Sequence, residues 1–181
     1  DFCLSRGLGD VYKRQVYGAG GQRVRKVIER QGSLRVERIY LGAVEIYRES
    51  QGSNTPNLER YTLHIADNTG PIAQVDTKTK DTNNSDPANP LNTPLIRYQY
   101  GNNIGSALLE TDASGAVISY EEYHPYGTSA YRSAKSGVDL SLKRYRFCGK
   151  EHDDETGLYY VGARYYACLL YTSPSPRDRQ K

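Results

Sequence analysis

Apolar and polar residues alternate along much of this chain with a period of two. Within residues 58–66, for example, Leu58 and Thr62 fall on one side of an extended chain, whereas Tyr61 and Leu63 fall on the other. This alternation predicts half-buried β-strands. Clusters of Gly, Asn, Asp and Pro separate the alternating segments, so consecutive strands are predicted to form antiparallel hairpins. The predicted strands cover residues 22–29, 34–40, 43–49, 58–66, 71–76, 95–100, 106–111 and 116–123.

Two segments depart from this pattern. Residues 77–94 are rich in Asn, Thr, Asp and Pro, and they are interpreted as a mobile surface loop inserted in a single sheet. The strand pattern resumes unchanged after this loop, which argues against a domain boundary. Residues 131–142 also lack the alternation, and Asp139 or Ser141 is a candidate cap of a short helix there.

The segment 143–167 combines short aromatic runs with turn residues. Tyr145 and Phe147 alternate with Arg144 and Arg146, which predicts a strand with its rings on one face and its guanidinium groups on the other. Residues 153–157 supply turn chemistry, because Asp side chains accept bonds from nearby main-chain N–H groups and Gly tolerates positive φ. Two further short strands are predicted at 158–161 and 164–166.

The order of residues in this segment, read together with YEEYHPYG at 120–127, resembles the core motif of Rhs/YD-repeat proteins. The segments 38–49 and 95–110 resemble the C component of ABC-type insecticidal toxin complexes. The motif residues are all interpreted as structural: Tyr123, Pro125, Tyr126, Gly127, Tyr145, Arg146, Gly149, Lys150, Glu151, Asp154, Glu155, Thr156, Gly157, Leu158, Tyr159, Tyr160, Ala163, Arg164, Tyr165 and Tyr166.

The resemblance implies an all-β fold in which consecutive antiparallel hairpins form part of a curled sheet or shell. It also implies a bacterial secreted or cell-surface protein whose shell encapsulates and helps deliver a C-terminal toxin of the same polypeptide, with a B-type component as a partner shell subunit. Members of this family carry a self-cleaving aspartyl site downstream of the motif, so no catalytic residue is assigned here. A surface adhesion or carbohydrate-binding protein, and the core of an autoproteolytic toxin precursor, are the alternatives.

Both ends of the chain are expected to be non-native. Residues 5–15 correspond to the translation of a transposase-type sequencing adapter, and residues 168–178 correspond to its reverse complement in another frame. The expected organisation is therefore a tail at 1–15, a repeat core at 16–167 that includes the polar loop 77–94, and a second tail at 168–181.

Setting these tails aside removes six of the 24 Lys and Arg residues and three of the 21 Asp and Glu residues, so the formal net charge falls from +3 to zero. A neutral core gives no support to nucleic-acid binding. The sequence contains no apolar run of the roughly 20 residues that a membrane helix needs, so no membrane segment is predicted.

Candidate chemistry is sparse. His64, His124 and His152 do not have the spacing of a metal site, and the acidic residues Glu151, Asp153, Asp154 and Glu155 are expected to form a solvated turn that pairs with Arg144, Arg146 or Arg164. Cys148 has no base nearby in sequence and is interpreted as a small apolar residue in a strand. No catalytic, metal-binding or cofactor-binding residue is predicted.

Overall fold

The computed structural model describes residues 11–30, 33–52, 55–68, 70–84, 89–135, 143–162 and 164–172. Within these residues the regular structure consists of thirteen strands, a 3₁₀ turn at Phe147–Gly149 and a short helix, α1 (Cys168–Thr172). The strands are β1 (Tyr12–Tyr17), β2 (Arg23–Arg30), β3 (Leu34–Leu41), β4 (Val44–Gln51), β5 (Leu58–Ala66), β6 (Pro71–Asp81), β7 (Pro94–Gly101), β8 (Ala107–Thr111), β9 (Val117–Tyr123), β10 (Ser129–Ala134), β11 (Glu151–Asp153), β12 (Leu158–Val161) and β13 (Arg164–Tyr166).

The strands are hydrogen-bonded in the order in which they occur in the chain, β1 to β10 in one sheet and β11 to β13 in a second sheet. Where a tight turn joins two neighbouring strands, antiparallel pairing follows, because such a turn can only reverse the chain. Strands β6 and β7 also pair antiparallel, although residues 82–93 separate them. The prediction of an all-β fold built from consecutive antiparallel hairpins is confirmed. No helix in the described part of the chain has the length and apolar character needed to cross a membrane.

The chain divides into two compact units. Unit 1 comprises residues 1–67 and 72–98, and unit 2 comprises residues 68–71 and 99–181. In unit 1 the register aligns Lys26, Arg38, Tyr47 and Arg60 across β2, β3, β4 and β5. Because side chains alternate between faces, these four residues share one face of the sheet.

Strand β6 is longer than the sequence pattern predicts. It continues to Asp81, so the prediction of a loop is wrong for residues 77–81. Lys78 is 2% exposed, and its Nζ donates to Asp81 at 2.8 Å. The alternation of Thr and Lys at 77–80 puts polar residues on both faces, which hides the strand from a hydrophobicity pattern.

In unit 2 the turn between β8 and β9 forms as predicted. Asp112 Oδ1 accepts hydrogen bonds from the main-chain N–H groups of Ser114 and Ala116, and Gly115 has a φ of +81°. Strand β10 was not predicted, because its residues are exposed on both faces and show no alternation. The candidate caps Asp139 and Ser141 lie outside the described residues.

The prediction of a strand around Tyr145 and Phe147 is wrong. Tyr145 makes a single bridge to Glu151, and Phe147–Gly149 forms a 3₁₀ turn. Cys148 therefore lies in a turn, with a φ of +51°, and is not a strand residue. Its main-chain N–H donates to Ser106 Oγ at 3.0 Å.

The most deeply buried side chains in the described residues are polar. All those exposed by 1% or less are polar or charged, namely Asp76, Arg97, Ser106, Glu110, Ser119, Glu121 and Asp153. Buried polar groups are costly unless they have partners. In unit 1, Asp76 accepts a hydrogen bond from Thr62 at 2.6 Å and lies 3.3 Å from Arg97.

Parts of both predicted tails lie in described structure. Residues 12–15 belong to β1 and pair with β2, and Cys168, which is 5% exposed, begins α1. Main-chain hydrogen bonds between strands form with a wide range of sequences, so the pairing of residues 12–15 does not decide whether they are native. The domain boundaries at 15/16 and 167/168 therefore stay predictions.

Candidate functional site

The family motif residues converge in unit 2. The ring of Phe147 lies 5.9 Å from Tyr123, 6.1 Å from Tyr159 and 6.4 Å from Tyr166, measured between ring centroids. These four residues, here called the aromatic cluster, come from β9, the 3₁₀ turn, β12 and β13. Aromatic pairs at such distances stabilise the folded chain by more than the burial of their apolar area alone provides.

Three tyrosine hydroxyls of this cluster form hydrogen bonds with main-chain carbonyls. Tyr159 donates to the carbonyl of Gly127 at 3.3 Å, and Tyr166 donates to the carbonyl of Tyr126 at 2.9 Å. The single hydroxyl proton of Tyr123 is shared between the carbonyl of Ala107 and the carboxylate of Glu121, each 3.0 Å away. Burial raises the pKa of Tyr159 to about 12, so this hydroxyl stays a donor at ordinary pH.

A second group of side chains, here called the carboxylate cluster, surrounds Glu121. The Nε and Nη2 atoms of Arg146 both donate to the Glu121 carboxylate, Tyr123 donates to it at 3.0 Å, and Lys143 Nζ lies 3.4 Å away. Neither Glu121 nor the Lys143 side chain is exposed to solvent. One buried carboxylate thus meets two cations and one hydroxyl.

The pKa values within the carboxylate cluster reflect this arrangement. Burial alone would raise the pKa of Glu121, but the hydrogen bond from Arg146 and the nearby positive charges outweigh it and lower that pKa. Burial lowers the pKa of Lys143, with Glu121 opposing the shift. Burial also acts to lower the pKa of Arg146, but its bond to Glu121 raises the pKa overall. Glu121 is therefore held as a carboxylate.

The acidic turn is only partly solvated. Glu151 is 3% exposed and Asp153 is 0% exposed, so the expectation of a solvated turn is wrong for these two residues. The predicted ion pair with Arg144 is present, since Arg144 Nη1 donates to Glu151 at 2.6 Å. Asp154 is exposed, and its pKa is lowered by the hydrogen bond with His152.

Other motif residues shape turns or line the small sheet. Gly149 and Gly157 have φ of +62° and +69°, and Thr156 Oγ1 donates to the carbonyl of Asp153 at 3.2 Å. The rings of Tyr160 and Tyr165 lie 5.7 Å apart on paired strands. The remaining described motif residues are Pro125, Lys150 and Arg164, which are exposed, and Glu155 and Leu158, which are half-buried; Ala163 lies outside the described residues.

Sequence reasoning missed three residues of the buried polar network. Glu110 accepts hydrogen bonds from Gln99 at 3.1 Å and from Ser119 at 2.7 Å, and neither Glu121 nor Lys143 was singled out. A usable signal was present for Glu121, because it lies two residues before the motif residue Tyr123 and therefore on the same face of β9.

The histidines are placed apart. His64 Nε2 lies 2.9 Å from Glu45, whereas His152 packs edge-on against Tyr159 at 4.8 Å. No group of three or more His, Cys, Asp or Glu residues with the geometry of a metal site occurs among the described residues. Through ring packing and hydrogen bonds, the site as a whole holds the 3₁₀ turn and the small sheet against β9 and the turn that follows β9.

Comparison with known proteins gives matches to parts of much longer chains. The chain is 54% identical over 71 residues to Toxin subunit YenC1 from Yersinia entomophaga, which covers 39% of this chain and 7% of YenC1. It is 36% identical over 83 residues to the tRNA3(Ser)-specific nuclease WapA from Bacillus spizizenii, which covers 44% of this chain and 3% of WapA. No family model matches the chain.

The crystal structure of TcdB2-TccC3 matches with a TM-score of 0.75 and 32% sequence identity, over 92% of this chain and 8% of that chain. The antiparallel hairpins, the motif clusters and these matches identify a toxin-associated Rhs segment. The chain is homologous to the YenC toxin subunits and structurally similar to TcdB2-TccC3, so the predicted resemblance is confirmed.

Proposed function

We propose that this chain is a wall segment of an Rhs-type shell that encloses a C-terminal toxic polypeptide of the same protein and helps to deliver it. In this proposal the protein is secreted or displayed at the bacterial surface, and a B-type component is its partner shell subunit. The observation that carries the proposal is the match of 92% of this chain to one part of TcdB2-TccC3.

The buried residues support a structural role. The motif residues that the structure brings together are occupied with one another, as in the bonds from Arg146 to Glu121 and from Tyr159 to Gly127. A wall acts by excluding solvent and partners from what lies behind it, and this needs continuous main-chain pairing and tight closure rather than reacting groups. The ten strands paired in chain order supply such pairing.

The names of the relatives indicate that this segment is shared by proteins whose activities differ. One relative is named a toxin subunit and another a tRNA nuclease, yet both match this chain. A segment common to proteins named for different activities fits a scaffold better than a catalytic centre. We therefore assign the toxic activity to another part of the full protein.

Limited proteolysis of the full-length protein tests the proposal. The C-terminal region is expected to resist protease while the shell is intact. Arg146→Met, which leaves Glu121 buried without its main partner, is expected to expose that region at least about tenfold faster, because breaking a buried ion pair is strongly destabilising. Gly115→Ala, which alters an open turn of the same unit, is the matched control.

Equal digestion of the C-terminal region in all three proteins, at a rate like that of an unprotected chain, would refute enclosure. The two alternatives predict other results. An adhesion protein would bind glycans through exposed tyrosines such as Tyr126 and Tyr131, which are 50% and 56% exposed. An autoproteolytic precursor would lose its C-terminal product after substitution of downstream Asp residues.

A further inference from the structure

A tyrosine hydrogen-bonded to a glutamate two positions further along its strand occurs in each of the two units. In β4 the hydroxyl of Tyr47 donates to Glu49 Oε2 at 2.8 Å. In β9 the hydroxyl of Tyr120 donates to Glu122 Oε1 at 2.7 Å. Residues two positions apart project from the same face of a strand, so each pair presents a tyrosine ring beside a carboxylate.

In unit 1 the ring of Tyr47 is occupied by arginine side chains. Arg38 and Arg60 lie directly opposite Tyr47 in the register of β3 and β5. Their guanidinium carbons lie 4.7 Å and 5.8 Å from the centroid of the Tyr47 ring. Both distances are within the range of a cation–π interaction. In this unit the chain itself therefore supplies guanidinium groups to the tyrosine–glutamate pair.

In unit 2 the corresponding positions hold no cation. Leu109 and Ser133 lie opposite Tyr120 in the register of β8 and β10. Glu122 is exposed, and among the described residues no Lys, Arg or His nitrogen lies within salt-bridge distance of its carboxylate. The same pair of side chains is thus open to solvent here.

Two further ionisable residues lie on this side of β9. The main-chain N–H of Lys135 donates to the carbonyl of Ile118, which is four positions before Glu122 along the strand. His124 follows Glu122 by two positions and is exposed. Neither forms an ion pair with Glu122 in the described part of the chain, so Glu122 carries an unpaired negative charge.

A second aromatic ring lies beside the pair in unit 2. Tyr131 of β10 is directly opposite Glu122 in the register. Its ring centroid is 6.3 Å from that of Tyr120, and the two ring planes are inclined at 55°. Tyr131 is 56% exposed, and β10 is the last strand in the order of its sheet. Two inclined rings and an unpaired carboxylate therefore face solvent together.

We propose that Tyr120, Glu122 and Tyr131 bind the guanidinium group of an arginine side chain from a partner polypeptide. The occupant is inferred from Tyr47, whose ring takes arginine side chains in the same arrangement. A guanidinium is planar and weakly hydrated, so it stacks on a tyrosine ring while its N–H donors reach a carboxylate. A lysine ammonium is a more strongly hydrated point charge and fits this site less well. This role is additional to the proposed wall function and does not depend on it.

Titration of the chain with N-acetyl-arginine amide tests the proposal, with the main-chain N–H signals of Tyr131 and Ser133 followed by NMR at constant ionic strength. A saturable shift is expected, with a dissociation constant of about 10–100 mM, because exposed cation–π contacts and ion pairs are individually weak. N-acetyl-citrulline amide, which has nearly the same shape without the charge, is expected to produce no saturable shift. Nα-acetyl-lysine amide and tetramethylammonium are expected to bind at least about threefold more weakly.

Three substitutions identify the residues that bind the probe. Glu122→Gln and Tyr131→Leu are each expected to weaken binding of N-acetyl-arginine amide at least about threefold. Ser133→Arg puts a guanidinium opposite Tyr120, as Arg38 is opposite Tyr47, and is expected to fill the site and weaken binding at least about tenfold. Ser133→Gln is the matched control, because it adds an uncharged side chain at the same exposed position, and it is expected to keep the wild-type dissociation constant within about twofold.

Circular dichroism verifies that all four variants keep their strands. Equal shifts with the citrulline amide, or equal or tighter binding of the lysine amide or tetramethylammonium, would overturn the proposal. Unchanged binding by Glu122→Gln, Tyr131→Leu or Ser133→Arg would also overturn it, as would equal weakening by Ser133→Gln and Ser133→Arg or the absence of saturation with the wild-type chain.

Discussion

The ring of Phe147 lies directly against the α-carbon of Gly127. A β-carbon at position 127 would lie 2.5 Å from Cδ1 of that ring, closer than any unstrained contact. Gly127 also has a φ of +91°. Phe147 can therefore pack at this position only because residue 127 is a glycine, which has no β-carbon.

This contact predicts the effect of Gly127→Ala. The substitution should destabilise the chain by about 2–4 kcal/mol, because overpacking and a positive φ each add a cost. Gly115→Ala is the control: its φ is +81°, but nothing lies within 4 Å of the added carbon, so a cost of about 1 kcal/mol is expected. Urea unfolding measures both. Equal losses would show that the Phe147 contact contributes nothing beyond the backbone effect.

The two cations beside Glu121 should contribute unequally to the free energy of unfolding. Arg146→Met should cost about 3–5 kcal/mol, because it removes the hydrogen bonds to Glu121 and leaves that carboxylate buried. Lys143→Met should cost about 1 kcal/mol or less, since Lys143 Nζ lies 3.4 Å from Glu121 but forms no well-aligned hydrogen bond with a described residue, and desolvation lowers its pKa. Equal losses in thermal or urea unfolding would contradict this ranking.

The carboxylate cluster also predicts acid sensitivity. The pKa of Glu121 is lowered in the folded chain from an ordinary value of 4.5. The unfolded chain therefore takes up a proton first as the pH falls, so the stability from Glu121 is complete above about pH 5 and is lost at lower pH. Glu121→Gln should reduce stability at neutral pH and should flatten the pH dependence below pH 5. An unchanged slope in the variant would assign the acid sensitivity to other carboxylates.

The tyrosine hydroxyls provide a further test. Tyr159→Phe should cost about 1–2 kcal/mol, because the Gly127 carbonyl loses a partner in a buried setting where Tyr159 is 2% exposed. Tyr166→Phe should cost about 0.5 kcal/mol or less, because its bond to the Tyr126 carbonyl is exposed and water can replace the hydroxyl. The denaturant midpoints of the two variants measure the difference when the slopes of their unfolding curves are equal. A larger loss of stability for Tyr166→Phe than for Tyr159→Phe would contradict the prediction.

The alternation of residues was sufficient to locate most strands. The segment 58–66 became β5 with the predicted bounds, and the Asp112 turn formed from its own side chain and Gly115. Local rules succeed here because side-chain parity and turn chemistry depend on neighbours only a few residues away. They failed at residues 77–81, where polar residues occupy both faces of β6.

The amino-acid sequence by itself determined the hairpins, their order and the set of motif residues. The tertiary structure alone decided that Tyr145 and Phe147 leave the strand conformation, and that Glu121 binds Arg146, which lies 25 residues away in the chain. The reason is physical: the partner of a buried charge is set by strand register and long-range packing, which no local pattern encodes.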